Sequence, residues 1–249
     1  GEPAVVPEPV SEPASGTVDA AGPEPAGAPE PGADLRTPPI AWRPPAHATT
    51  TLLLLRHGET RYSVERRFSG TGDPELTPRG LAQAEAAARR LAQERIDAIV
   101  SSPLRRARRT AEEVARRTGL EVVIEDGLRE NDFGTWEGLT FAEIQARWPA
   151  ELKEWLADPA VPPPGGESFA QAAERVRRTT ERLLARHAGR TVLVVSHTTP
   201  IKMMLRFALA APAESLYRMH LDLACLSRID SPADGPAVVM SLNDTAHLR

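Results

Sequence analysis

Histidine and arginine follow three apolar runs of the sequence in a pattern that suits the binding of an anion. Arg56 and His57 come directly after one run, Arg106 lies shortly after a second, and His197 follows a third. Arginine guanidinium groups match phosphate oxygens with paired hydrogen bonds, and a neutral imidazole can act as a nucleophile or as a further ligand to the anion. The pattern therefore indicates chemistry on a phosphoryl group, provided that the fold brings these side chains together.

The apolar runs have the length of β-strands and alternate with amphipathic stretches of helical period. This alternation predicts an α/β fold with a mostly parallel sheet and helices on both faces. The predicted strands cover residues 51–55, 97–100, 121–125, 191–195, 225–229 and 238–242. Ligands of open parallel sheets bind beyond the carboxyl ends of the strands, so the four basic residues are expected at one edge.

Capping residues and chain breakers predict the helices between these strands. Thr77-Pro78 starts a helix to about residue 93, and Ser102-Pro103 starts one to about residue 118, which Gly119 ends. Two further helices are predicted at residues 139–157 and 168–187. A last helix is predicted to start with Thr199-Pro200 as its cap.

The first 48 residues differ in composition from the rest of the chain. Twelve of the 24 prolines lie between Pro3 and Pro45, among Ala, Gly, Glu and Ser, without apolar periodicity. We expect residues 1–48 to be a disordered Pro/Ala-rich acidic linker and residues 49–249 to form one domain. A linker of this length, in a chain that begins at Gly1, suggests a fragment of a longer protein.

Composition argues against several classes of protein. The net charge is −4 and only 4% of residues are aromatic, which disfavours a nucleic-acid-binding domain. Cys225 is the only cysteine and the six histidines are scattered, so neither a disulfide nor a metal site is expected. No apolar run is long enough to cross a bilayer and no signal peptide is evident, so we expect no membrane partner and a cytoplasmic location.

Each basic residue also has an ordinary structural interpretation. A single histidine at a strand end is more often structural than catalytic, and the conjunction of several such residues favours a site. Surface ion pairs explain the arginines at 108 and 109, which lie four residues before Glu112 and Glu113. A solvated helix face is the preferred interpretation of Arg175, Arg177 and Arg178.

Three motifs in this order resemble those of the histidine phosphatase superfamily, which has the phosphoglycerate-mutase-like fold. They are Leu55-Arg56-His57-Gly58-Glu59-Thr60, Ser101-Ser102-Pro103-Leu104-Arg105-Arg106-Ala107 and Ser196-His197. The resemblance extends through 67–70, 128–130, 133–138 and 164–168, and so spans nearly all of 51–249. The domain with its leader is most similar to the C-terminal acid phosphatase domain of actinobacterial bifunctional ribonuclease H/acid phosphatase proteins, which implies a ribonuclease H domain upstream in the full-length protein.

The resemblance implies a role for each site residue. His57 is the expected nucleophile, Glu130 the expected proton donor, and Arg56, Arg106 and His197 the expected phosphate ligands. Spacing alone does not separate Glu130 from Asp132 or Glu137; the family motif makes that choice. Ser63 and Ser69 are further expected phosphate contacts, although Ser63 stands where the mutase branch carries Asn.

The implied activity is that of an acid phosphatase that hydrolyses small phosphomonoesters through a phosphohistidine, without metal or cofactor. One alternative is an α-ribazole-phosphate phosphatase of cobalamin synthesis. A phosphoglycerate mutase is less favoured because the linkers between the motifs are short. A phosphate-binding module without catalysis is disfavoured, since all five principal site residues are present.

Overall fold

The structure is a computed structural model, and it describes residues 48–249. All but the last residue of the predicted linker lies outside the described residues, so its disorder stays a prediction. The strongly apolar segment that precedes His57 forms the strand β1, Thr49–Arg56, near the middle of the sheet.

The sheet has six strands in the order β3-β2-β4-β1-β5-β6. The other strands are β2 (Ala98–Ser101), β3 (Val122–Ile124), β4 (Thr191–Ser196), β5 (Leu226–Pro232) and β6 (Val238–Asp244). Strands β3, β2, β4 and β1 are parallel neighbours, whereas β5 pairs antiparallel with both β1 and β6. The predicted α/β class with a mostly parallel sheet is confirmed.

Seven α-helices join and cover these strands within the described part of the chain. They are α1 (Arg61–Val64), α2 (Pro78–Leu91), α3 (Arg105–Thr118), α4 (Phe141–Arg147), α5 (Pro149–Ala157), α6 (Phe169–Arg186) and α7 (Thr198–Ala208). None of the helices in residues 48–249 has the length and apolar character needed to span a bilayer.

Successive residues of β1 point to opposite faces of the sheet, and each face has its own core. Leu52 and Leu54 pack in a cluster with apolar residues of α6 and α7, while Leu53 and Leu55 pack with apolar residues of α2 and α3. A strand buried on both faces needs a continuous apolar run, which is what the sequence supplies. Helices on both faces are thereby confirmed.

The predicted start of α2 and the predicted end of α3 are confirmed by their cap geometry, and α6 begins with a capping box. The Thr77 side chain accepts a hydrogen bond from the Gly80 N–H at the start of α2, and Ser168 forms a reciprocal capping box with Gln171 at the start of α6. Gly119 ends α3 in the left-handed conformation, with φ +74°.

Three predicted helix boundaries were wrong. The stretch 139–157 is two helices that meet at Trp148, because Pro149 disfavours a helical conformation for the residue before it and cannot donate a backbone hydrogen bond. Helix α3 begins at Arg105, since residues 102–104 form a turn first. Helix α7 begins at Thr198 with His197 as its N-cap, so Thr199 lies inside the first turn.

Candidate active site

The two histidines meet because β1 and β4 are parallel neighbours that end in register. Arg56 lies opposite Ser196, and the His57 N–H donates to the Ser196 carbonyl oxygen at 3.1 Å. His57 and His197, one residue beyond each strand, have ring centroids 5.1 Å apart. The structure therefore brings together the two histidines that the sequence placed at one sheet edge.

A backbone contact fixes the protonation pattern of the neutral His57 ring. The His57 Nδ1 lies 2.7 Å from the Gly58 carbonyl oxygen, which can only accept a hydrogen bond. Nδ1 must therefore carry the proton, and Nε2 holds a lone pair. Burial, followed by the charges of Arg106 and Arg56, lowers the pKa of His57 well below its usual value, which keeps the ring neutral. This is the state that a nucleophilic imidazole needs.

The Arg106 side chain is fully buried beneath the loop 69–72. Its Nη1 donates to the Gly72 carbonyl oxygen at 2.8 Å, and its Nη2 donates to the Gly70 carbonyl oxygen at 2.8 Å. Its pKa is lowered from the usual arginine value by burial, while the charges of nearby Glu130 and Glu137 act in the opposite direction. The guanidinium is thus a cation held in a fixed position.

Arg56 has a similar arrangement at the end of β1. Its Nη1 donates to the Leu221 carbonyl oxygen at 2.5 Å. Burial lowers its pKa, and the charges of nearby Glu130 and Asp222 act in the opposite direction. Both arginines are therefore oriented by carbonyl oxygens of loops that are distant in sequence.

His197 is buried and hydrogen-bonded to Ser102, which is not among the predicted site residues. Its Nε2 lies 2.6 Å from the Ser102 Oγ. Burial, then Arg106 and His57, lower the pKa of His197 well below its usual value. Ser102 follows β2, the strand beside β4, so the sheet order places it next to His197.

Four residues predicted to bind phosphate share an unusual property. Among the described residues, the buried side-chain atoms without a hydrogen-bond partner include Arg56 Nε, Arg106 Nε, His197 Nδ1 and Ser69 Oγ. Leaving a buried donor unpaired costs about 1–3 kcal/mol. A tetrahedral anion with several acceptor oxygens is the kind of ligand that such donors suit.

The three carboxylates of the region 130–137 have different surroundings. Glu130 is 6% exposed, and its Oε1 accepts from the Asn131 N–H at 2.8 Å. Asp132 Oδ1 accepts from the Gly134 N–H at 2.9 Å and so shapes its own turn. Only Glu130 of the three lies close enough to both Arg56 and Arg106 to affect the pKa of each.

Glu137 supports the loop above Arg106. Its two carboxylate oxygens accept from the Gly70 N–H at 2.7 Å and from the Gly72 N–H at 3.0 Å. Its pKa is raised, mainly by burial. Glu137 thus holds the same loop whose carbonyl oxygens orient Arg106, which is a structural task.

The two predicted serine contacts differ in their surroundings. The Ser63 Oγ donates to the Thr60 carbonyl oxygen at 2.7 Å and accepts from the Thr60 N–H at 2.9 Å, within the capping box of α1. The Ser69 Oγ is buried without a partner and its residue adjoins Arg106, whose Nη2 donates to the Ser69 carbonyl oxygen. The geometry favours Ser69 as a phosphate contact; for Ser63 the contact stays a prediction.

One expectation about surface arginines was wrong. The Arg175 side chain is only 14% exposed and binds Glu167, because α6 packs against the turn Asp126–Leu128. Arg177 and Arg178 do lie on an exposed face, where they pair with Glu174. Arg109 pairs with Glu113, as its spacing predicted, and also with Glu112, which the spacing had assigned to Arg108.

Known proteins carry the same domain. A family model described as the histidine phosphatase superfamily (branch 1) matches residues 52–245. The bifunctional protein Rv2228c of Mycobacterium tuberculosis is 51% identical over 208 residues, which are 83% of this chain and 57% of that protein. This chain therefore spans little more than half the length of that relative.

A second relative and a solved structure match over nearly their whole length. Phosphoserine phosphatase 1 of Hydrogenobacter thermophilus is 37% identical over 198 residues, 79% of this chain and 93% of that protein. The solved structure of the α-ribazole phosphatase from Shigella flexneri is similar with a TM-score of 0.73 and 31% identity, covering 78% of this chain and 96% of that one.

Proposed function

The chain belongs to the histidine phosphatase superfamily, branch 1, and on that premise we propose that this phosphatase hydrolyses small phosphomonoesters through a phosphohistidine at His57. The observation that carries the proposal is the ring state of His57. Its Nδ1 proton is committed to the Gly58 carbonyl oxygen, so the Nε2 lone pair is free to attack phosphorus.

In the first step, His57 Nε2 forms a bond to phosphorus while the bond from phosphorus to the ester oxygen breaks. Negative charge on the three equatorial oxygens is met by Arg56 and Arg106 and by a hydrogen bond from His197. Such fixed donors stabilise the transition state because they need no reorganisation during the reaction. No group of three or more metal-ligating side chains occurs in residues 48–249, and we expect chelators to leave the activity unchanged.

Glu130 is the proposed proton donor to the leaving alkoxide. In the second step, its carboxylate takes a proton from water while the water oxygen attacks the phosphohistidine, which releases inorganic phosphate and restores His57 and Glu130. General acid catalysis of this kind typically contributes about 10²–10⁴-fold. The charge of Glu130 raises the pKa of both Arg56 and Arg106, the expected phosphate ligands, which supports this role.

An acidic optimum follows from the pKa of His57. Since burial and two arginines lower that pKa, the nucleophile stays neutral below pH about 6.5, the usual midpoint for histidine. General acid catalysis also requires a protonated donor. We therefore expect a maximum of kcat at roughly pH 5–6.

A panel of phosphomonoesters tests the activity and sorts the substrates. The relatives are named for phosphoserine and α-ribazole phosphate, so both belong in the panel with 3-phosphoglycerate and p-nitrophenyl phosphate. We expect phosphate release from several esters at acidic pH, and no conversion of 3-phosphoglycerate to its isomer. If the protein binds the esters but hydrolyses none of them, the result would favour a non-catalytic phosphate-binding module.

The full-length protein is proposed to carry a second activity. Its 51% identical relative is named a bifunctional protein and extends well beyond the matched region. We infer that the leader of this chain connects the phosphatase to an upstream domain, a ribonuclease H in the interpretation of the sequence. Isolating the longer gene product and assaying both activities tests this organisation.

A further inference from the structure

Arg175 joins α6 to the backbone on the N-terminal side of Glu130. Its Nε and Nη2 donate to the two carboxylate oxygens of Glu167, at 2.9 and 2.8 Å. Its Nη1 donates to the Gly127 and Arg129 carbonyl oxygens, both at 2.8 Å. The planar guanidinium fork allows these four bonds at once, which an ammonium group on a flexible stem cannot reproduce.

Glu167 holds the backbone on the C-terminal side of Glu130. The Glu167 N–H donates to the Asp132 carbonyl oxygen at 2.8 Å, and the Asn131 side-chain amide donates to the Glu167 carbonyl oxygen at 2.9 Å. The backbone of residues 127–132 is therefore attached to Glu167 and Arg175 on both sides of the proposed acid.

The carboxylate of Glu130 itself has few direct anchors. Apart from the Asn131 N–H, the hydrogen bonds it accepts come from the Thr199 N–H, at 3.3 and 3.4 Å. Its position relative to His57 thus depends mainly on where its backbone is held. General acid catalysis requires the acid within hydrogen-bond reach of the leaving oxygen, so a small backbone shift matters.

We propose that the Glu167–Arg175 pair positions Glu130 for proton transfer to the leaving group, an inference that rests on the proposed function. Neither residue touches the phosphate; both act through the backbone of 127–132. The pair differs from the exposed ion pairs of α6 in which Arg177 and Arg178 bind Glu174 without a contact to this segment.

The test compares two leaving groups in purified Arg175→Lys, with Arg177→Lys as the matched control on the same helix. An alkyl phosphate needs a proton on its leaving oxygen, whereas p-nitrophenyl phosphate scarcely does. We expect Arg175→Lys to lower kcat/KM for the alkyl ester by about 10²-fold, the typical cost of a misplacement near 1 Å, and for p-nitrophenyl phosphate by much less. Arg177→Lys should match wild type on both.

A double-mutant cycle separates positioning from general damage. Glu130→Gln removes the acid, so adding Arg175→Lys to it should cause no further loss with the alkyl ester. Glu167→Gln should also lower kcat/KM much more for the alkyl ester than for p-nitrophenyl phosphate. It serves as the main variant if Arg175→Lys does not fold. Equal losses on both esters, or full additivity with Glu130→Gln, would overturn the proposal.

The same data distinguish failure of the proposed function. If wild type hydrolyses neither ester, or if Glu130→Gln loses both activities equally, the assignment of the acid is wrong and the positioning proposal falls with it. If Glu130→Gln loses more kcat/KM with the alkyl ester than with p-nitrophenyl phosphate, and neither Arg175→Lys nor Glu167→Gln does, only the positioning proposal is overturned.

Discussion

At the scale of residues, the site depends on which nitrogen of each histidine carries the proton. Gly58 settles this for His57, because its carbonyl oxygen accepts from Nδ1. For His197 we assign the hydrogen bond to Ser102 in the direction from the hydroxyl to Nε2, because the Ser102 Oγ already accepts from the Leu104 N–H. His197 then presents an Nδ1–H, the nitrogen that has no other partner.

Ser102→Ala should weaken the binding of inorganic phosphate. Without the hydroxyl, His197 is free to adopt the other tautomer, so one phosphate hydrogen bond is lost, worth about 0.5–1.5 kcal/mol or up to roughly tenfold in Kd. Ser101→Ala is the matched control, since Ser101 is equally buried and its hydroxyl donates to the Ser102 carbonyl oxygen. Equal Kd values for Ser102→Ala and wild type, measured calorimetrically, would refute this role.

The partners of the site residues were harder to predict than the residues themselves. His57 and His197 are adjacent to strand ends and Arg106 lies in the first turn of α3, and local sequence predicts strand ends and helix starts near them. Ser102 lies 95 residues from His197, and Arg175 lies 46 residues from Arg129, so these contacts depend on packing between elements. The sequence therefore predicted the chemistry of the site and missed most of what orients it.

At the scale of elements, apolar pattern predicted the strands well and helix limits less well. Strand β4 was predicted at 191–195 and runs Thr191–Ser196, because a fully buried strand is a continuous apolar run. The helices α4 and α5 were merged into one because their apolar residues continue across the break. Pro149 was the local signal that should have divided them.

The junction between β1 and α2 offers a prediction at this scale. A Cβ on Gly58 would lie 2.4 Å from the Gly80 carbonyl oxygen, so an alanine must push the two backbones apart. Gly58→Ala should cost about 1–3 kcal/mol of stability and, because the His57 ring moves with its hydrogen-bond partner, lower kcat for both classes of ester.

Gly119→Ala is the control for that substitution. Gly119 has φ +74° with open space around its Cβ position, so alanine there should cost about 1–2 kcal/mol by strain alone. Chemical denaturation and kcat should show lower stability with unchanged turnover. If Gly58→Ala has the kcat of the wild type, the close approach of Gly58 to Gly80 does not determine the geometry of the site.

At the scale of the whole molecule, two buried histidines link stability to pH. The pKa values of His57 and His197 are both lowered well below the usual 6.5, so below that pH the unfolded chain binds protons that the folded chain does not. The free energy of unfolding should therefore fall as pH drops through about 6.5, by up to about 1.4 kcal/mol per pH unit for each histidine.

Urea denaturation between pH 7 and pH 5 measures this dependence. A double variant, His57→Asn with His197→Gln, removes these two groups and should reduce the slope of the curve over that range. His187 and His247, whose pKa values are also lowered by burial, account for the slope that remains. If the free energy of unfolding of the wild type does not change between pH 7 and pH 5, the two rings take up protons in the folded state. That result would contradict a neutral His57 as the nucleophile.

The most direct test of the central claim is to trap the intermediate on His57. Rapid quenching in alkaline denaturant after mixing with a ³²P-labelled phosphomonoester should leave label that is stable to base and lost in mild acid, and peptide mapping should place it at His57. His57→Ala should acquire no label and lose turnover, while His220→Gln, changed at an exposed histidine, should label like wild type. Label on a serine or aspartate, or turnover in His57→Ala within about tenfold of wild type, a loss of under 1.4 kcal/mol in transition-state stabilisation, would contradict the phosphohistidine mechanism.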